Sequence, residues 1–192
     1  MQSLKRFIKK YKVGEFGMVI PGLVINGKVA PYPVLNERAV RAGAGITFAV
    51  GMFAFFQAFY FENFLYLQYM VAVLFLDFFI KVIVGPHYSP LSLLASWIVK
   101  NQTPEYVGAI QKRFAWSIGL FLATVMLFLL FVFSVTGLVS LLICGVCLLF
   151  MFFESAFGIC VGCKIYSGLV SYGLVPAPKH KPACAGNVCD IT

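Results

Sequence analysis

The sequence predicts an all-α membrane protein whose four transmembrane helices form two antiparallel hairpins. Three observations predict it. Residues 114–153 are an uncharged run of 40 residues, about twice the ~20 that one helix needs to cross a bilayer core of roughly 30 Å. Two further apolar spans precede that run: 42–61 carries no charge, and 64–84 carries only Asp77 and Lys81. The composition, 61% apolar and 11% charged over 192 residues, has more hydrophobic surface than a soluble chain can hide, since soluble chains run about 45–50% apolar and about 25% charged.

Taken in order, residues 1–39 read as a cytoplasmic N-terminal segment. Pro21, Pro31, Pro33 and several glycines and charges interrupt it, which argues against a signal peptide, so the first span is expected to be retained. Within it, Asn26-Gly27 between short apolar stretches suits a type I′ hairpin turn, although the same stretch also suits the membrane surface. A four-helix domain follows over 40–170, with helices at about 42–61, 64–84, 114–133 and 138–157. Glu62-Asn63 closes the first hairpin, and the Ser134-Val135-Thr136-Gly137 break closes the second. In the middle loop, 85–113, Pro86 stops the second span, Ser89-Pro90 starts a new helix, and Trp97 with Lys100 suits a short interfacial helix. His87 in this loop is a conceivable ligand, but a lone loop histidine is usually none. Residues 171–192 form a tail with Cys184 and Cys189.

The basic residues fix an expected orientation. They lie before the first span, in the middle loop (Lys100, Lys112, Arg113) and after the last span (Lys164, Lys179, Lys181), while the two short loops have none. An even number of spans puts these three regions on one side, and the positive-inside bias makes that side, with both termini, cytoplasmic. The net charge of +8 is thereby explained without nucleic acid.

Cysteines facing the reducing cytoplasm do not form lasting structural disulfides. For Cys160-x-x-Cys163 this leaves redox cycling, sulfur transfer, a metal site or helix packing. Positions three apart share a helix face and can meet in a disulfide, and Lys164 favours the thiolate. The end of a crossing helix disfavours an anion, unless Gly158 and Gly162 break the helix and reverse that sign. Cys144-x-x-Cys147 lies sixteen positions earlier, about 24 Å along a helix. The two pairs therefore cannot share one ion, and Cys144 and Cys147 read as packing residues.

Three charged groups stand inside the predicted membrane. Asp77 and Lys81, four apart, can pair on one helix face, either structurally or as part of an ion or proton site. Glu154 has no partner nearby in sequence; Lys81 or Arg113 of a neighbouring helix is the expected one. It projects away from Cys163 on a regular helix. A faint symmetry relates the hairpins: each starts behind an arginine, Arg41 or Arg113, and each acid precedes a glycine, Gly85 or Gly162, by eight residues.

Asn36-Glu37-Arg38-Ala39-Val40-Arg41, Asp77-Phe78-Phe79-Ile80-Lys81, Lys112-Arg113-Phe114-Ala115 with Ile118-Gly119, and above all Ala156-Phe157-Gly158-Ile159-Cys160-Val161-Gly162-Cys163-Lys164-Ile165-Tyr166 resemble a bacterial family of four-helix membrane proteins catalogued as a domain of unknown function. The resemblance covers roughly 31–170. It implies a bacterial inner-membrane protein, found at times near thioredoxin-like or sulfurtransferase genes, and no established activity. Family members often carry Cys-Pro near the first motif, where this chain has Ala30-Pro31 or Tyr32-Pro33, and many have arginine in place of Lys81.

The functional expectation is thiol-redox or sulfur-relay work at the cytoplasmic face. Cys160 and Cys163 would exchange electrons or sulfane sulfur, Cys184 and Cys189 would relay them, and a thioredoxin-like or rhodanese-like protein would be the partner. The alternatives are a small ion or solute transporter subunit using Asp77, Lys81 and Glu154, as a homodimer or in a larger complex, and a non-catalytic assembly subunit. No nucleotide loop, Ser/His/Asp arrangement or haem-attachment motif occurs, and no cofactor or metal is expected.

Overall fold

The computed structural model describes residues 16–25 and 28–176; the Asn26-Gly27 turn and the tail cysteines Cys184 and Cys189 lie outside the described residues. Among the described residues, four helices are long and apolar enough to cross a membrane: Glu37–Tyr60, Leu65–Val84, Ala109–Val132 and Leu138–Phe157. Only 22–28% of their most apolar windows is buried within the molecule. Phe53, Phe56, Val73, Leu76, Phe121, Phe131, Leu142 and Val146 point outward, a surface that only lipid makes tolerable.

Each hairpin begins with a short strand. After a small ribbon of β1 (Val24–Ile25) and β2 (Lys28–Val29), strand β3 (Val34–Asn36) leads into helix α1 (Glu37–Tyr60). Helix α2 (Leu65–Phe79) returns and ends in a π turn, Ile80–Val84. A single 3₁₀ turn, Pro86–Tyr88, and helix α3 (Pro90–Ile98) fill the middle loop. Strand β4 (Tyr106–Gly108) then opens the second hairpin, α4 (Ala109–Leu127, continued by a π turn to Val132) and α5 (Leu138–Phe152, continued by a π turn to Phe157). Strands β3 and β4 pair antiparallel, with Leu35 opposite Val107, and so tie the two hairpins together where both begin. The Asn36 side chain completes this joint, accepting from the amides of Arg38 at 3.1 Å and Glu105 at 3.3 Å, one as a helix N-cap and the other across the strands.

Helices α1 and α4 start at Glu37 and Ala109, about five residues before the apolar spans read from sequence. Their first turns carry charge, yet Glu37 and Lys112 are buried, because their partners lie across the bundle. Helix α1 is the central one: it packs against α2, α3 and α5. Its buried positions Gly43, Thr47, Gly51, Ala54 and Ala58 form a small-residue stripe that lets neighbouring backbones approach. A Cβ at Gly51 would stand 2.9 Å from Leu148. The third and fourth spans, adjacent in sequence, touch each other far less than each touches the first hairpin. A cleft therefore separates α4 from α5.

The Asp77 and Lys81 side chains fasten the middle loop. Lys81 Nζ lies 2.6 Å from Asp77 Oδ2 and 5.5 Å from the ring centroids of both Phe78 and Trp116. Asp77 Oδ1 also accepts from the Ser89 hydroxyl and, at 3.2 Å, from the Leu91 amide. Ser89 itself caps α3, accepting from the Ser92 amide at 3.2 Å. The acid thus anchors the start of α3, whose Ala95 then packs on Gly43 of α1.

Candidate functional site

The fourth span does not continue into the cysteine motif. Gly158, at φ +67°, adopts the left-handed conformation that ends helices, and a new helix, α6, runs over Val161–Ser171. Cys160 is its N-cap: Cys160 Sγ accepts from the Cys163 amide at 3.3 Å. The two cysteines, with Cα atoms 5.2 Å apart, are joined in a disulfide across the first turn. The sequence alternatives are thus resolved toward a broken helix, in which the pair occupies the positive end of a helix dipole instead of the negative one. Gly162, the second glycine of the motif, does something else: its backbone lies against α4, and a Cβ there would stand 2.6 Å from that of Ala115. This contact, with Tyr166 against Phe114 at 5.3 Å between ring centroids, seats α6 on α4. The symmetric equivalence of Gly85 and Gly162 therefore fails, because Gly158 is the residue that closes the second hairpin.

Glu154 does not reach Lys81 or Arg113. Its partner is Lys112, whose ammonium lies 2.7 Å from Glu154 Oε1 and also 2.9 and 3.1 Å from the two carboxylate oxygens of Glu37. All three groups are buried, Glu37 completely. One cation holds together the starts of the first and third spans and the end of the fourth. In the sequence, Lys112 counts as a loop charge and Glu37 stands only within a motif; the helical-spacing neighbour of Glu37 is Arg41, and only the tertiary fold pairs Glu37 and Glu154 with Lys112. Arg41, one turn after Glu37, reaches the same corner. It donates to the carbonyls of Ser155 (3.2 Å) and Ala156 (3.1 Å), which the helix end leaves without intrahelical donors, and its guanidinium packs on Gly158. Charge cluster and cysteine turn are therefore joined through five residues of chain.

Two cavities meet this region. One, of about 110 Å³, follows the cleft between α4 and α5; Phe78, Trp116, Ala123 and Cys144 line it, with Glu154 and Cys160 at one end. The other, about 300 Å³, is more polar and has Lys81, His87, Ser92 and Glu154 on its wall. Glu154 is common to both. Cys144 and Cys147 are free thiols; Cys144 packs with Leu67, Val71 and Leu148 in the apolar core, as its reading as a packing residue expects. Among the described residues, no group of three or more His, Cys, Asp or Glu is placed to hold a metal ion.

Comparison with curated proteins and with solved structures finds no match. Family comparison matches residues 35–171, a stretch that opens at the β3 joint and closes with the last residue of α6. The chain thus belongs to the family described as Domain of unknown function (DUF4395).

Proposed function

We propose that this is a bacterial inner-membrane thiol-redox or sulfur-relay protein, with both termini and the Cys160/Cys163 pair on the cytoplasmic side. The observation that carries the reading is the position of the pair: Cys160 caps, and Cys163 lies in, the first turn of a short separate helix. The Cys163 amide, which donates to Cys160 Sγ, and the helix dipole there favour a thiolate, the form that attacks disulfide or persulfide sulfur. Lys164 adds a positive charge next to it. The excess of lysine and arginine at the end of the bundle that carries the pair supports the cytoplasmic orientation.

Cys184 and Cys189 act as the relay in this reading. The chain from Tyr172 to Cys184 is long enough, at up to about 3.5 Å per residue, to return along α6 to its first turn. A thioredoxin-like or rhodanese-like protein then exchanges with the tail pair. Acid trapping and alkylation in native membranes, followed by mass spectrometry of the peptides with Cys160/Cys163 and Cys184/Cys189, tests this. The expected result is a disulfide or persulfide that changes with oxidant or sulfur supply. Unchanging thiols, or an unchanging disulfide, under every condition would end the reading.

The 300 Å³ cavity, with Lys81 and Glu154 on its wall, favours a second reading as an ion or solute transporter subunit. Liposomes that dissipate an ion gradient with the wild-type chain, and no longer do so with Glu154→Gln or Asp77→Asn variants shown to keep the parent's fold by circular dichroism, would establish it.

A further inference from the structure

Cys160 and Cys163 are 9% and 4% exposed, so redox chemistry at this pair is also a problem of protons. Two S–H protons must leave before a disulfide forms, and the sulfur that attacks must first become a thiolate. A new anion in a low-dielectric interior is costly unless a neighbouring group gives up an equal charge as it forms. The Cys163 amide, 3.3 Å from Cys160 Sγ, stabilises the sulfur anion but cannot take its proton.

Glu154 can. On an unbroken helix it would project away from the cysteines; with the break at Gly158, Glu154 and Cys160 stand on the wall of the same 110 Å³ cavity. Lys112 holds Glu154 Oε1 at 2.7 Å, and among the described residues no hydrogen bond is donated to Oε2. A water needs about 10–15 Å³ and at least two polar partners, which Glu154, Thr47 and Cys160 on this wall supply. The 300 Å³ cavity completes a route outward. Glu154 is on its wall too, with Asn36, Pro104 and Tyr106, and Pro104 is exposed at the end of the bundle. Among the described residues on the two walls, Glu154 alone is titratable and common to both.

We propose that Glu154 is the proton-transfer group of the Cys160/Cys163 couple, passing protons between the Cys160 sulfur and the polar cavity; the proposal rests on the thiol-redox reading above. On oxidation, the Glu154 carboxylate takes the Cys160 S–H proton, and the Cys160 thiolate attacks a partner disulfide, displacing one partner sulfur as a thiolate. The Cys163 sulfur then attacks Cys160 in this mixed disulfide. The Cys160–Cys163 bond forms, and the second partner sulfur leaves with the Cys163 proton. The pair loses two electrons and the partner disulfide gains them, while the first partner thiolate takes up a proton equal to the one Glu154 releases. Negative charge moves from carboxylate to sulfur and is not created. The other charged or titratable groups near Glu154 are Lys112 of α4, Glu37 and Arg41 of α1 and, across the polar cavity, Lys81 of α2 and His87 of the middle loop. None of these five lines the cavity that holds Cys160.

The test uses the full-length chain, reduced and freed of reductant, in anaerobic lipid nanodiscs. Diamide, a small membrane-permeant oxidant, is added from mildly acidic to mildly alkaline pH, and acid quenching, alkylation and mass spectrometry give the rate of Cys160–Cys163 disulfide formation. The wild-type rate should be nearly independent of pH. Glu154→Gln should be at least tenfold slower at neutral pH, as for loss of a general base, with the deficit closing by about tenfold per pH unit as hydroxide replaces the carboxylate. Glu154→Asp should recover most of the rate. If Glu154→Gln does not fold by circular dichroism, the triple variant Lys112→Met, Glu37→Leu and Glu154→Leu takes its place, with the same dependence on hydroxide expected. A wild-type rate that itself climbs about tenfold per pH unit, a variant rate equal to wild type, or one lowered by a constant factor at every pH, overturns the proposal while the thiol-redox reading stands. If no reagent cycles the pair in detergent-solubilised or membrane-bound protein, both fall.

Discussion

Replacing Lys112 by methionine removes one cation from two buried carboxylates. At 2.7 Å from Glu154 and 2.9 Å from Glu37, each contact has a gross attraction of about 6 kcal/mol at an effective dielectric of ~20. Most of this only repays the cost of taking three charges out of water, so the net effect follows instead from what remains behind: two facing carboxylates, one of which must take a proton. Breaking a buried pair from one side destabilises proteins by about 3–5 kcal/mol, and that is the loss expected for Lys112→Met. In contrast, the triple change Lys112→Met, Glu37→Leu and Glu154→Leu should recover most of it, since apolar side chains of similar volume replace buried ions at little or no cost. The assay is unfolding by sodium dodecyl sulfate in mixed micelles, followed by the fluorescence of buried Trp116 in a Trp97→Phe background. A Lys112→Met protein within about 0.5 kcal/mol of its parent, the scatter of ordinary surface substitutions, would refute the claim that this cation joins three spans.

Three further outcomes follow from the same geometry. Cys160→Ser should keep α6 folded, because serine is a good N-cap, yet abolish oxidation at Cys163; circular dichroism and thiol gel shifts read the two effects separately. Gly162→Val drives a side chain into Ala115, which should destabilise the chain by about 1–3 kcal/mol and, by lifting α6 off α4, speed reduction of the disulfide by a membrane-permeant phosphine. Ser89→Ala removes both the donor to Asp77 and the cap of α3, worth about 1–2 kcal/mol locally, and should raise amide hydrogen exchange at 91–93 without changing that of α4.

The four spans were legible in sequence because length and the absence of charge are what a bilayer demands of a helix, and no tertiary detail alters that demand. The Asp77/Lys81 pair was legible for a similar reason: its spacing is local. The joint of Glu37, Lys112 and Glu154 was not, since its members come from three spans and no one-dimensional spacing connects them. A signal for the central role of α1 was present in Gly43, Thr47, Gly51, Ala54 and Ala58, a run of small residues three or four apart, and it is visible only to a reading that seeks close backbone approach. At the cysteine motif, Gly158 and Gly162 were both candidates for the break. Conformation decides between them: only Gly158 takes the left-handed backbone, whereas Gly162 is glycine because Ala115 leaves no space.

The joint between the hairpins also has a consequence for biogenesis. A chain synthesised from its N-terminus inserts α1 and α2 before β4, Lys112 and Glu154 exist, so the first hairpin waits in the membrane with the edge of β3 unpaired and the Glu37 carboxylate without its ammonium. Both are satisfied only when the second hairpin arrives in register, β4 beside β3 and Lys112 beside Glu37. A truncated or mis-inserted chain therefore displays an open strand edge and a Glu37 carboxylate without its ammonium, two polar features that the complete chain buries.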